Sequence, residues 1–228
     1  MRAISLVLAL LAGLLQAGDL KFEKELVELN LKPEATTADG DFEFTNASDH
    51  PVTISRVEKT CSCLNAQVKG GKLIYQPGEK GVVRAAFEVG NIVGTVDKTI
   101  AIVLEKQENN PIVLTVRAHV PVLVELGQKT LKWTLNGNPD PQKVTIHMKY
   151  PKPIRILKAE CNSEMFKTEL KTIKEGADYE LWITPADMKR TTIGLVRLET
   201  DCEIERHKIQ QVFAVVRADR PGEGAAVR

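Results

Sequence analysis

The stretch Asp41-Phe42-Glu43-Phe44-Thr45, then turn residues from Asn46 to Pro51, then Val52-Thr53-Ile54-Ser55-Arg56-Val57-Glu58-Lys59-Thr60-Cys61-Ser62-Cys63, decides the fold. Phe42 and Phe44 alternate with polar neighbours, which puts both on one face of a strand. Val52 and Ile54 resume the two-residue period after the turn. The second strand runs straight into two cysteines separated by one residue.

Working outward, Leu73-Ile74-Tyr75 is a short strand that ends at Gln76-Pro77-Gly78-Glu79. Proline fixes a negative φ and glycine tolerates a positive one, so this turn is expected to be type II. Longer strands are expected at 82–89, 98–104 and 112–120. Residues 21–31 mix the helical and strand periods and are read as an irregular first strand. About seven short strands in about 100 residues, with turns between, indicate an antiparallel sandwich of immunoglobulin type.

The second half repeats this order. Val144, Ile146 and Met148 alternate as Phe42 and Phe44 do, and Tyr150-Pro151-Lys152-Pro153 supplies the turn. Ile154 to Glu160 then matches Val52 to Glu58. Tyr179 to Pro185 is set against Leu73 to Pro77, and Ile193 to Thr200 against Lys98 to Leu104, with Lys208 to Arg217 as the closing strand. A repeat of this length means a duplicated domain, not a solenoid. The expected chain is therefore all-β, with two tandem immunoglobulin-like antiparallel β-sandwiches after a signal peptide. Its parts are a signal peptide at 1–17, a sandwich with the Cys-x-Cys turn at 19–121, a second sandwich at 122–217 and a flexible tail at 218–228. The junction Val120-Pro121-Val122 has no Gly/Ser run, so direct contact with limited swing is expected.

Composition agrees with a buried core, since 43% of the 228 residues are hydrophobic and 27% charged. Lys and Arg total 31 against 30 Asp and Glu, so no global charge draws the chain to nucleic acid. Arg2, the apolar run from Ile4 to Leu15 and the small residues Ala17 and Gly18 read as a secretory signal cleaved after Ala17. The run is shorter than the about 20 apolar residues a spanning helix needs. A membrane location is expected only if the segment stays uncleaved, and otherwise the protein is periplasmic or extracellular. No cysteine stands at the cleavage region, which disfavours a lipid anchor.

Four motifs in order, Phe42-Glu43-Phe44-Thr45-Asn46, Pro51-Val52-Thr53-Ile54, Cys61-Ser62-Cys63 and Tyr75-Gln76-Pro77-Gly78-Glu79-Lys80-Gly81, resemble a bacterial family known as domain of unknown function 1573. The resemblance spans about 39–120 and implies an immunoglobulin-type sandwich of the bacterial envelope. It brings no activity with it. The second half shares only the strand rhythm.

Four cysteines behind a signal peptide, Cys61, Cys63, Cys161 and Cys202, are disulfide or thiol candidates with three complete pairings. Alternating strand direction puts Cys161 and Cys202 at opposite ends of the second sandwich. It also puts Cys61 and Cys63 at the end of the first sandwich from which the chain leaves. One of that pair is therefore expected to bond Cys202 or lie close to it, and a local Cys61–Cys63 bridge is the alternative. As a metal site, Cys61 and Cys63 would suit a soft ion such as Cu(I), but no second Cys/His pair stands at zinc spacing. His50, His119, His147 and His207 are scattered. A thioredoxin-like site would want Cys-x-x-Cys at a helix start, and neither is present.

No serine-hydrolase elbow, phosphate loop or zinc-protease motif occurs, so no enzyme activity and no cofactor are expected. Trp182 falls on the face opposite Tyr179, Leu181 and Ile183. It is read as packing within the protein, with a partner-binding anchor as the second reading. The function expected is non-enzymatic binding or scaffolding, with a protein partner, no nucleic acid and no small-molecule substrate. The alternative is periplasmic thiol-redox or copper handling through Cys61 and Cys63.

Overall fold

A computed structural model describes residues 19–218. The expected signal peptide, and the tail from 219 onward, lie outside the described residues.

The first sandwich is built from β1 (Leu20–Phe22), β2 (Leu26–Asn30), β3 (Thr37–Asn46), β4 (Val52–Lys59), β5 (Leu64–Val68), β6 (Ile74–Tyr75), β7 (Lys80–Glu88), β8 (Gly94–Leu104) and β9 (Ile112–Val120). They form two sheets, β1-β3-β7-β5 and β2-β9-β8-β4-β6. The second is built from β10 (Val124–Leu126), β11 (Thr130–Thr134), β12 (Gln142–Met148), β13 (Ile156–Cys161), β14 (Phe166–Lys174), β15 (Asp178–Pro185), β16 (Thr192–Thr200), the short α1 (Glu205–Lys208) and β17 (Ile209–Arg217). Its sheets, β10-β12-β15-β14 and β11-β17-β16-β13, repeat that order, with no counterpart of β6. This is the immunoglobulin arrangement, in which an A-B-E-D sheet faces a G-F-C sheet. Grouped by contacts, the described residues up to Leu29 form one compact unit with Thr37–Glu88 and Asp97–Arg117. The other holds Asn30–Thr36, Val89–Val96 and the described residues from Ala118.

Three sequence expectations need correction. The second sandwich is not wholly antiparallel, because β11 runs parallel to β17, from Thr130 beside Phe213 to Thr134 beside Arg217. The segment that opens this sandwich pairs first with β12 in one sheet and then passes to β17 in the other. The copy of Tyr179 to Pro185 is also not Leu73 to Pro77. That segment is β15, inside its sheet as β7 is, whereas β6 is a two-residue strand on β4. Finally, β5, β10, β11 and β14 are strands that the hydrophobic pattern did not reveal.

The cores follow from the alternation. In β3, Phe42 and Phe44 point inward and are fully buried with Ile54, Leu64, Ile100, Ile102 and Leu114. Each such side chain contributes roughly 1.5–3 kcal/mol relative to exposure. The second core gathers Val144, Ile146, Leu181, Ile183, Val196 and Val212 around Trp133, whose indole N–H donates to the Asp140 carbonyl at 2.8 Å. No helix among the described residues is long and apolar enough to cross a membrane.

The Pro-Gly-Glu turn has the expected geometry. Gly78 has φ of 76° and the Glu79 amide donates to the Gln76 carbonyl at 2.9 Å. The turn is tied to the end of β3, where Gly78 N–H donates to Asn46 O and Asn46 N–H donates to Glu79 O. It thereby sets the start of β7, the strand on which β5 is laid.

Candidate functional site

Strand β4 belongs to one sheet of the first sandwich and β5 to the other, so the residues between them, 60–63, must carry the chain across the layers. Leu64 is fully buried and opposes Phe87 of β7, which anchors the far side of the crossing. On the near side, the Thr60 hydroxyl donates to the Thr99 carbonyl at 3.0 Å. The Leu64 amide donates back to the Cys61 carbonyl at 3.3 Å and closes the turn.

A disulfide joins Cys61 to Cys63, with Cα atoms 5.3 Å apart, inside this crossing. Ser62 and Cys63 are exposed, while Cys61 is half-buried. The Lys98 ammonium lies 3.9 Å from Cys61 Sγ and 5.9 Å from the centre of the Phe87 ring. The two cysteines of the turn thus differ, Cys63 being exposed and Cys61 having a cation beside its sulfur.

The bridge from this turn to Cys202 is therefore not formed. Cys161 and Cys202 are free thiols, half-buried and buried respectively. Cys161 lies beside Val196 on β16, whereas Ile156 lies beside Thr200. Cys202 is two residues past Thr200, so the two thiols occupy opposite ends of the β13–β16 pair. Six residues of strand span about 20 Å, well beyond the about 7 Å that a disulfide allows between Cα atoms. Burial pushes the Cys202 thiol up from its ordinary range, which keeps it protonated.

As a metal site the turn would need both thiolates, and in the bonded form it offers neither. Among the described residues no group of three or more His, Cys, Asp or Glu side chains is placed to hold an ion.

Next to the disulfide lies β5, the outer strand of its sheet, hydrogen-bonded to β7 on one side only. Its sequence, Leu-Asn-Ala-Gln-Val, carries no charge. Leu64 and Val68 point into the core and Asn65 and Gln67 point out. Natural edge strands are ordinarily blunted by charged residues or shortness. The other edges in the described structure follow that rule. Lys21, Glu28, Glu125, Lys132 and Lys158 mark β1, β2, β10, β11 and β13, and β6 has only two residues. The counterpart of β5 in the second sandwich, β14, carries Lys167, Glu169, Lys171 and Lys174. An open depression beside β5 is lined by Thr37, Ser62, Cys63, Asn65, Ala86 and Glu88 among others.

Trp182 lies on the outer face of β15, opposite Lys143 of β12 and Glu169 of β14. Its ring is approached by the ammonium groups of Lys143 at 5.6 Å and Lys171 at 5.1 Å. Its N–H donates to Glu180 at 3.0 Å, and Lys143 pairs with the same carboxylate at 2.6 Å, holding it below the ordinary carboxylate range. The indole is engaged within its own sheet.

Among solved structures, the chain is similar to a protein of unknown function from Porphyromonas gingivalis. The identity is 11% and the TM-score 0.36, over 89% of this chain and all of that one. It is similar to the E. coli chaperone DraB at 11% identity and a TM-score of 0.34, over 86% of this chain and 96% of that one. The Vibrio cholerae VesB protease matches at 13% identity and a TM-score of 0.37, over 46% of this chain and 32% of that one. Likenesses this remote carry no functional argument. No curated relative matches the chain. Residues 20–120, the first sandwich with its Cys-x-Cys turn, match the model of the family described as "Protein of unknown function (DUF1573)", the family its motifs resemble.

Proposed function

We propose that this is a non-enzymatic binding protein of the bacterial envelope, secreted through its N-terminal segment, that takes an extended segment of a partner protein by strand addition at β5. The observation that carries the reading is the uncharged outer edge of β5, in a molecule whose other long edges are charged. An added strand would draw affinity from main-chain hydrogen bonds, and its alternate side chains would meet Asn65, Gln67 and the adjoining depression. A polar, uncharged edge suits a segment of low net charge. Selection of phage-displayed random peptides against the full chain tests the reading. Alternating, weakly charged sequences are expected to be recovered by the protein, and to be lost in an Asn65→Lys, Gln67→Lys variant. Recovery of the same peptides by that variant would reject β5 as the docking edge.

A further inference from the structure

We propose that the Cys61–Cys63 disulfide is a thiol–disulfide exchange site for a cysteine in an extended peptide, entered at Cys63 and released at Cys61. The identity of its peptide substrate rests on the strand-addition reading; the chemistry of the two sulfurs does not.

The geometry points in one direction. Cys63 is exposed and borders the depression beside β5, so a strand laid on that edge would run past its sulfur. Cys61 is half-buried, and Lys98 lies 3.9 Å from its sulfur. In exchange, the sulfur that is attacked must be accessible, and the sulfur that departs must bear negative charge. A neighbouring ammonium stabilises that thiolate. Exposure thus selects Cys63 as the point of attack, and Lys98 selects Cys61 as the leaving group.

The exchange balances as two substitutions at sulfur. A peptide thiolate attacks Cys63 Sγ, forming a peptide–Cys63 disulfide while the Cys61–Cys63 bond breaks and its electron pair leaves on Cys61. A second thiolate of the same peptide then attacks the peptide sulfur of that mixed disulfide and expels Cys63 as thiolate. The peptide dithiol is oxidised to a disulfide by two electrons, and the turn is reduced to two thiols after proton uptake from solvent. Run in reverse, a reduced turn opens a peptide disulfide. The exchange uses no thiol of the second sandwich, where Cys202 is buried.

The test uses the full chain and 2-mercaptoethanol, a neutral thiol too small to form a strand. The disulfide is expected to open readily, and rapid quenching with N-ethylmaleimide should trap the mercaptoethanol adduct on Cys63 with the maleimide on Cys61. Lys98→Met is expected to slow opening by about threefold, because the departing Cys61 thiolate loses the neighbouring ammonium. Lys98→Arg should restore the rate. An adduct on Cys61, a rate indifferent to Lys98→Met, or a bond that resists the thiol would overturn the proposal. Normal mercaptoethanol reactivity together with failed peptide selection at β5 would fault the strand-addition reading alone.

Discussion

Asn46 Nδ2 donates to the carbonyl of Tyr75 at 2.8 Å, joining the end of β3 to a residue that follows it by 29 positions. The same amide donates to His50 O at 2.9 Å. Its oxygen accepts from the Ser48 amide at 2.9 Å and from the Ser48 hydroxyl at 2.7 Å. The residue is fully buried. One side chain therefore satisfies the 46–50 turn and the strand before the Pro-Gly-Glu turn together.

Replacing that amide should be costly. Asn46→Ala leaves the buried Tyr75 carbonyl without this donor and the Ser48 amide without its acceptor, and each such loss costs about 1–3 kcal/mol. Chemical denaturation should show Asn46→Ala destabilised by roughly 2–4 kcal/mol. A shift below about 0.5 kcal/mol would mean that the turn holds without it.

Gly81, the last residue of the Tyr75 to Gly81 motif, has a steric reason. A Cβ there would lie 2.3 Å from Phe44 Cζ and 2.6 Å from Tyr75 Cε1. Those two rings pack edge to face with centroids 4.8 Å apart. Gly81→Ala is expected to cost about 1–3 kcal/mol by overpacking. The near-ultraviolet circular dichroism of Tyr75 should change with it.

His207 gives the fold a dependence on acid. It is 1% exposed, its Nε2 has no partner, and burial pushes its pKa below the ordinary 6.5, with the bond to the Pro121 carbonyl acting against that. In the folded protein the ring stays neutral below pH 6.5, while the unfolded chain takes up a proton there. The unfolded state then binds more protons, so stability is full above the ordinary value and falls as pH drops through it toward the folded value. Melting temperatures measured from pH 7.5 to 5 should decline, with a shallower slope in His207→Gln. Equal slopes would remove His207 as the source.

On the outer face of β3, Asp41 accepts from Arg84 at 2.7 and 2.9 Å and from Lys69 at 3.0 Å. Chiefly through the Arg84 bonds, its carboxyl is lowered from 3.8 to about 2. A carbon-detected NMR titration should place Asp41 near that value and should return it toward 3.8 in Arg84→Gln. Being partly exposed, the pair contributes little stability. What it offers is present above the ordinary carboxylate pKa and is lost as pH falls toward about 2.

Much of the fold was legible because it rests on strong alternation. Phe42 and Phe44, Val144 and Ile146, and Ile112 to Val120 announce strands without ambiguity. Of the strands that escaped notice, β5, β10, β11 and β14, two are equivalent edges, β5 and β14. Leu-Asn-Ala-Gln-Val does alternate, but over five residues only and with a small alanine at its centre, so its apolar signal is weak. In Phe166–Lys174 only the phenylalanine is buried, charged residues fill most of the exposed positions, and Ile173 points outward. Edge strands bury less than central ones, and their pattern is correspondingly faint.

The cysteine turn was legible in place but not in partnership. Strand parity separated Cys161 from Cys202, and the register of β13 with β16 has them at opposite ends. Parity says nothing of which sulfur faces a lysine from β8, since that depends on the crossing between sheets. The second sandwich makes the same crossing without a bridge. There the Asn162 side-chain oxygen accepts from the Leu195 amide at 2.8 Å, and the Asn162 backbone N–H donates to Leu195 O at 3.0 Å. Two backbone-directed bonds do in one copy what the disulfide does in the other, so the crossing does not itself require paired thiols.

The central claim is that β5 takes a partner strand beside Cys63. The most direct measurement is hydrogen–deuterium exchange of the full chain, free and saturated with a peptide selected on it. The account predicts new protection at the amides of Leu64–Val68, with β14 unchanged, and no such protection in the Asn65→Lys, Gln67→Lys variant. Protection confined to other strands or to loops, with β5 exchanging as in the free protein, would contradict it.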